Sequence, residues 1–120
     1  KTGDTMTGAL TAPAFNTSST SRIKDAIVDI GQSYLDRFNL LKPREYNRTD
    51  IQIHEFGFIA EEMVQVYPEI VGKDAAGQPT GIDYSKLSTI LTAKIQEQEI
   101  TINEMKDKLS AIMALLNMML

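Results

Sequence analysis

Ser19 and Lys24 are the residues of this chain whose types and spacing could do chemistry. A serine hydroxyl can attack a peptide carbonyl when a neighbouring base takes its proton, and a lysine is such a base only in its neutral form. Burial or a nearby positive charge favours that form, and Arg22 could supply part of the charge. Considered without context, a surface lysine after a serine-rich linker is the more common explanation of such a pair.

Other catalytic and binding chemistries have little support in the sequence. The single histidine, His54, lies in an alternating segment, which favours a hydrogen-bonded strand residue. Glu61 and Glu62 are adjacent in a helical pattern, so they point in different directions and favour a solvated face. The chain has no cysteine, and no phosphate-binding glycine motif or metal-ligand spacing is present. We therefore expect no metal and no cofactor.

Charge and hydropathy exclude two classes of partner. The formal net charge is -4 and the sequence pI is about 4.9, which argues against nucleic acid as a partner. No apolar stretch approaches the roughly 20 residues that span a bilayer, and the N-terminus lacks the features of a signal peptide, so we expect no membrane partner. A chain that begins at Lys1 without methionine suggests the C-terminal end of a longer protein.

The elements that must position these residues fall into three predicted regions: 1–19, 20–84 and 85–120. The first, with "GDTMTGALTAPAF", is rich in Thr, Ser, Gly and Ala and has too few apolar residues for a core. The second has a globular composition. The third has the apolar repeat of a long helix. The predicted fold class is α+β: a small mixed α/β unit followed by a long C-terminal helix, with an extended stalk remnant before it.

Within residues 20–84 the apolar spacing changes from helical to alternating. Helical spacing connects six residues before Pro43: Ile23, Ile27, Ile30, Leu35, Phe38 and Leu41. A strand "REYNR" follows, then alternation through Ile51, Ile53 and Phe56, a turn near Gly57 and a helix "IAEEMVQVY" before Pro68. The segments "EIVG" and "TGIDY" read as the arms of a hairpin. So short a unit is marginal alone, because much of its apolar surface stays uncovered.

From Leu91 onwards the apolar positions step by four and three, which predicts four heptads of coiled coil. The a positions are Ile95, Ile102, Leu109 and Leu116, and the d positions are Leu91, Gln98, Met105, Ile112 and Met119. Mixed Ile and Leu at a, with Met and Ile at d, favour a parallel trimer over a dimer. Gln98 would fix the register, and Lys94 could pair with Glu99 of a neighbour. The alternative is a single amphipathic helix packed on its own domain.

Several separated motifs occur in a distinctive order. "SSTSRIKDAI" is followed by "LLKPREY", "GFIAEEMVQVYPEIV", "GIDYSKLSTILTAKIQEQ" and the heptad helix. From Ser19 to the C-terminus this order resembles the C-terminal intramolecular chaperone domain of phage tail fibres, tailspikes and endosialidases. The domain also occurs in membrane-tethered transcription factors of the myelin regulatory type. Upstream, "GDTMTGALTAPAF" resembles a repeat of phage tail-fibre stalks, which favours a virion fibre.

The resemblance implies a homotrimer that aligns the preceding fibre stalk for folding and then releases itself by autoproteolysis. It places the nucleophile at Ser19 and the base at Lys24, matches Arg22 to the family's Arg-x-Lys element, and puts the cleaved bond between Ser19 and Thr20. The family usually has Asp directly after the serine, whereas this chain has Thr20. The resemblance further implies assembly in the host cytoplasm and a parent protein in the virion tail fibre.

Two other functions stay open on the sequence. A permanent trimerisation domain that never cuts would have the same heptads, and Thr20 makes that function plausible. A host-binding fibre tip would carry exposed aromatic residues on its loops, and "AAGQPTG" offers none.

Overall fold

The structure, a computed structural model, describes residues 18–120. The stalk predicted over residues 1–19 therefore lies outside the described residues except at Ser18 and Ser19. The elements are, in chain order, a 3-10 turn at Ser21–Ile23, helix α1 (Gln32–Asp36), a 3-10 turn at Phe38–Leu40, strands β1 (Arg44–Arg48) and β2 (Ile53–Gly57), helix α2 (Ala60–Met63), a 3-10 turn at Pro68–Ile70, strands β3 (Val71–Lys73) and β4 (Pro79–Ile82), and helix α3 (Tyr84–Met119). The predicted mixed class with a long C-terminal helix is confirmed.

Two local antiparallel hairpins form the sheet structure of the described residues. β1 pairs with β2 in a register that sets Arg44 opposite Gly57 and Arg48 opposite Ile53. β3 pairs with β4, as the arms "EIVG" and "TGIDY" predicted. In the loop between β3 and β4, the Asp74 carboxylate accepts hydrogen bonds from the backbone N–H groups of Ala76 and Gln78, both at 2.9 Å. This carboxylate closes the turn, which is the common role of aspartate in such loops.

The helix predicted from the spacing of Ile23, Ile27 and Ile30 is wrong over residues 24–31. Ile23 ends a 3-10 turn, and Ala26 has a positive φ of 50°, which no right-handed helix accommodates. Ile23 and Ile27 are 65% and 68% exposed, and of the three isoleucines only Ile30 packs against the core. Three apolar residues at helical spacing are too weak a signal when only one of them has a core to pack against.

Helix α2 is shorter than the predicted "IAEEMVQVY". It ends at Met63 and continues as turns to Tyr67, which has φ -131° and ψ 76°. Tyr67 precedes Pro68, and the proline ring disfavours the helical conformation in the residue before it. The helix therefore unwinds ahead of the proline.

The core lies where α2 and the 3-10 turn after it meet the start of α3. Tyr67 is fully buried and Met63 nearly so, and two residues of α3, Leu87 and Ile90, pack on them. The Tyr67 hydroxyl donates to the carbonyl oxygen of Tyr34 at 2.5 Å, and burial raises the pKa of Tyr67. The remaining buried residues of this cluster are Val66 and Ile70. The elements from α1 to β4 and the first two turns of α3 thus form one compact unit.

Beyond the compact unit α3 continues as an uncovered rod. Its 36 residues correspond to about 54 Å at 1.5 Å per residue. Asp83 caps its N-terminus: the carboxylate accepts from the backbone N–H of Lys86 at 3.2 Å and from the Ser85 hydroxyl at 2.5 Å, and these bonds lower the pKa of Asp83. Every residue after Gln98 is exposed in the single chain. Among the described residues no helix is long and apolar enough to cross a membrane.

Candidate functional site

The Ser19 and Lys24 side chains contact each other. Lys24 Nζ lies 2.7 Å from Ser19 Oγ, within hydrogen-bond distance. Ser18 and Ser21 are neighbours of the same residue type, so the sequence singled out Ser19 only by its spacing. A serine oxygen at this distance from an amine has the geometry that proton transfer between them requires.

The 3-10 turn Ser21–Ile23 brings the Ser19 and Lys24 side chains together. Thr20 is extended, and its hydroxyl oxygen accepts a hydrogen bond from the backbone N–H of Arg22 at 3.3 Å. The Thr20 carbonyl accepts from the N–H of Ile23 at 3.3 Å, and the Ser21 carbonyl accepts from the N–H of Lys24 at 3.1 Å. These three bonds fold the chain back within six residues, which brings the lysine side chain to the serine.

The surroundings of the pair are open in the single chain. Ser19, Arg22 and Lys24 are all exposed. Ile23 and Ile27, on either side of the lysine, are 65% and 68% exposed. A lysine needs burial or positive charge nearby to act as a neutral base. Residues 18–120 of one chain supply no such burial at Lys24.

The residues predicted at the a and d positions of the coiled coil share one face of α3, which we call the seam. The exposed fractions of its apolar members run from 38% at Leu91 to 81% at Met119. The further members are exposed too, namely Gln98, Ile102, Leu109, Ile112 and Leu116. The stripe that packs on the unit, with Leu87 and Ile90, lies beside this face. An apolar stripe of this length, interrupted only at Gln98 and left uncovered by the described residues, is typical of a helix that packs on other helices.

The first seam turns are connected to α1 by a polar cluster. Gln32 Nε2 donates to Glu97 Oε2 at 2.8 Å, and Lys94 Nζ lies 3.0 Å from Glu97 Oε1. Gln32 and then Lys94 lower the pKa of Glu97 through these bonds. The sequence suggested that Lys94 pairs with Glu99 of a neighbour, whereas within the chain its ammonium contacts Glu97.

Two other candidates of the sequence, His54 and Glu62, have structural partners. His54 Nδ1 lies 2.8 Å from Asn47 Oδ1, and Nε2 lies 3.2 Å from Glu45 Oε1, both across the β1–β2 hairpin. Glu62 accepts a bidentate pair of hydrogen bonds from Arg44, at 2.9 and 2.7 Å, which joins α2 to β1. The described residues hold no cluster of three or more His, Cys, Asp or Glu side chains that would ligate a metal.

Two residues, Arg37 and Gly57, have structural roles that the sequence did not predict. The Arg37 guanidinium stands 5.0 Å from the ring centroids of Tyr34 and Tyr67, and Nη1 donates to the Val66 carbonyl at 2.6 Å. Gly57 faces two tyrosine hydroxyls, described below. Nothing in the pattern of apolar residues marks an arginine or a glycine for such a role.

Comparison with known proteins identifies one family. The sequence profile of the peptidase family described as chaperone of endosialidase matches residues 19–72. The match begins at Ser19 and covers the compact unit up to β3, short of α3. It supports an intramolecular chaperone role of the kind found in phage tail proteins, and a domain of the self-processing peptidase type. No curated protein matches the chain.

Proposed function

We propose that this chain is a self-cleaving intramolecular chaperone of a phage tail fibre or tailspike, because residues 19–72 match the profile of the family described as chaperone of endosialidase. Three copies associate through α3, align the preceding stalk for folding, and then separate from it between Ser19 and Thr20. The observation that carries the cleavage step is the 2.7 Å distance between Ser19 Oγ and Lys24 Nζ.

The proposed chemistry uses only groups of this chain and one water. Neutral Lys24 Nζ takes the proton of the Ser19 hydroxyl, and the oxygen attacks the carbonyl carbon of Ser19. The bond from that carbon to Thr20 N breaks, and the lysine ammonium returns the proton to the leaving amine. The resulting four-membered ester is strained, and water opens it to a carboxylate. Since closing such a ring is difficult, the serine must be held in one geometry.

The exposure of the pair supports coupling between cleavage and assembly. In one chain Ser19 and Lys24 are open to water. The proposal requires that neighbouring copies cover this surface on assembly, because burial favours the neutral form that a lysine base needs. Cleavage would then follow assembly, so that the chaperone domain separates only after the three chains have associated.

The chaperone role follows from the cost of aligning chains. A trimeric stalk must bring three chains into register before its contacts offset the lost entropy, so its folding is slow and open to misregister. The uncovered seam of α3, from Leu91 to Leu116, offers a local surface on which three chains can be aligned first. Cleavage then removes the chaperone domain, which eliminates a route by which the stalk could unfold and leaves the fibre kinetically stable.

Intact mass measurement of the purified chain tests the cleavage step. We expect two fragments that meet between Ser19 and Thr20 in the parent and none in Ser19→Ala. Lys24→Arg keeps the positive charge but cannot act as a base, so it should also stay whole. Ser18→Ala and Ser21→Ala change the neighbouring hydroxyls and should cleave as the parent does. Sedimentation equilibrium of Ser19→Ala should give a trimer.

A parent that stays whole while sedimenting as a trimer would contradict autoproteolysis. It would favour the second candidate, a permanent trimerisation domain. The specific observation behind that candidate is the exposure of both Ser19 and Lys24. A parent that cleaves but sediments as a monomer at all concentrations would contradict the proposed assembly.

A further inference from the structure

Thr20 stands at the start of the turn that joins Ser19 to Lys24. Its hydroxyl oxygen accepts from the Arg22 N–H at 3.3 Å, so the side chain caps the 3-10 turn Ser21–Ile23. Without the turn, five residues of extended chain would separate the Cα atoms of Ser19 and Lys24 by about 17 Å. The contact between the two side chains therefore depends on the turn.

The turn has few other sources of stability. Residues 21–23 include no buried side chain, and Ile23 is 65% exposed. Its backbone bonds are the two at 3.3 and 3.1 Å described above. One exposed turn with two backbone hydrogen bonds is marginal, because the ordering of its residues costs about as much as such bonds contribute. A side-chain cap is then a large fraction of what holds it.

We infer that Thr20 is a positioning residue for the Ser19–Lys24 pair. Its hydroxyl acts as the N-cap acceptor that keeps the turn folded, and so keeps Lys24 Nζ at Ser19 Oγ. This inference rests on the proposed function. Capping depends on a side-chain oxygen, and Asp, Asn and Ser fill the N-cap position at least as well as Thr. Thr20 thus supplies the same acceptor that an aspartate at this position would supply, and the chain needs no acidic residue there.

Substitutions that separate the acceptor from side-chain shape test this role. Thr20→Val keeps the branched shape next to the cleaved bond but lacks the oxygen, and its rate of fragment formation should fall about five-fold, the usual effect of losing a cap. Thr20→Asn and Thr20→Asp restore an acceptor with a different shape and should cleave at least as fast as the parent. Thr49→Val, an exposed threonine on the β1–β2 hairpin, should leave the rate unchanged. The unfolding midpoint of Thr20→Val should equal that of the parent.

A second readout does not depend on cleavage. In nuclear magnetic resonance spectra of the uncleaved Ser19→Ala chain, cross-relaxation between the Hβ protons of position 19 and the Lys24 Hε protons reports the proximity directly. In this background we expect it with Thr20 and with Thr20→Asn, and expect it to weaken strongly with Thr20→Val. Because this background does not cleave, the measurement decides on Thr20 even where the proposed function fails. An unchanged rate or an unchanged contact in Thr20→Val would overturn the inference, as would Thr20→Asn and Thr20→Asp variants as slow as Thr20→Val.

Discussion

Gly57 is the residue at which two tyrosine side chains meet the end of the β1–β2 hairpin. A Cβ atom at this position would lie 3.0 Å from the hydroxyl oxygens of both Tyr46 and Tyr84. Tyr84 is the first residue of α3, and its hydroxyl oxygen accepts from the backbone N–H of Phe58 at 3.2 Å. The absence of a side chain at Gly57 therefore lets the hairpin approach the start of the long helix.

Replacing Gly57 with alanine should destabilise the compact unit. Both hydroxyls would have to move by a few tenths of an ångström, which weakens the Tyr84 bond, and we expect a loss of about 1 kcal/mol in the free energy of unfolding. Urea denaturation followed by circular dichroism measures it. Gly81→Ala is the matched control, because a Cβ there meets nothing within 4 Å. Equal stabilities of the two variants would contradict the role given to Gly57.

Among the secondary-structure elements, α3 has two different environments along its length. Its first turns bury Leu87 and Ile90 in the compact unit, and its residues after Gln98 are exposed among residues 18–120. Gln98 stands at the junction, on the predicted seam face. A polar residue on a coiled-coil seam costs stability and fixes the register of the helices.

Replacing Gln98 with isoleucine should stabilise the assembly and loosen its specificity. Removing one polar group from the seam should raise the thermal midpoint by about 5 °C. We also expect sedimentation velocity to give a broader distribution of oligomers, since the register is no longer fixed. Gln96→Ile makes the same change off the seam and should alter neither property. A lower midpoint for Gln98→Ile would place Gln98 outside the seam.

The elements could be predicted from the sequence where their signals are local. Strand "REYNR" coincides with β1, the Gly-rich loop between "EIVG" and "TGIDY" is a hairpin, and the heptads fall on α3. The helix through Ile23 and Ile27 could not be excluded, because its failure depends on the positive φ of Ala26 and on missing tertiary contacts.

The sequence named candidate site residues and could not describe their geometry. Spacing and family resemblance selected Ser19 and Lys24, but five positions of sequence do not say how the chain turns between them. The sequence marked Thr20 only as a departure from the family. Its hydrogen bond to Arg22 depends on the backbone of the turn, which composition does not reveal.

For the whole molecule, two carboxylates connect separate elements and a third caps the long helix. Glu62 joins α2 to Arg44 of β1, Glu97 joins α3 to Gln32 of α1, and Asp83 caps α3. Hydrogen bonds lower the pKa of each one: from Arg44 for Glu62, from Gln32 and Lys94 for Glu97, and chiefly from Ser85 for Asp83. Each contact therefore favours the ionised form, and the stability it contributes depends on pH.

We expect the unfolding midpoint to fall as the pH drops below about 4.5, the usual pKa of a glutamate. A group whose pKa is lowered by folding contributes its full stability above its unfolded pKa, and loses it as the pH falls through the folded value. Thermal melts at fixed chain concentration from neutral pH to pH ~3 measure this. Glu62→Gln should make the acid loss shallower, whereas Glu104→Gln, exposed and off the seam, should not. Midpoints that stay constant down to the lowest pH would contradict the linkage.

The placement of the tyrosines gives the protein two separate optical signals. All four, Tyr34, Tyr46, Tyr67 and Tyr84, lie within the compact unit or at its border with α3, and the chain has no tryptophan. Near-ultraviolet ellipticity and tyrosine fluorescence therefore come from the unit, whereas α3 dominates the far-ultraviolet signal. Unlabelled protein can be refolded by rapid dilution from denaturant at several protein concentrations. The tyrosine signals then reveal whether the compact unit folds before the copies associate.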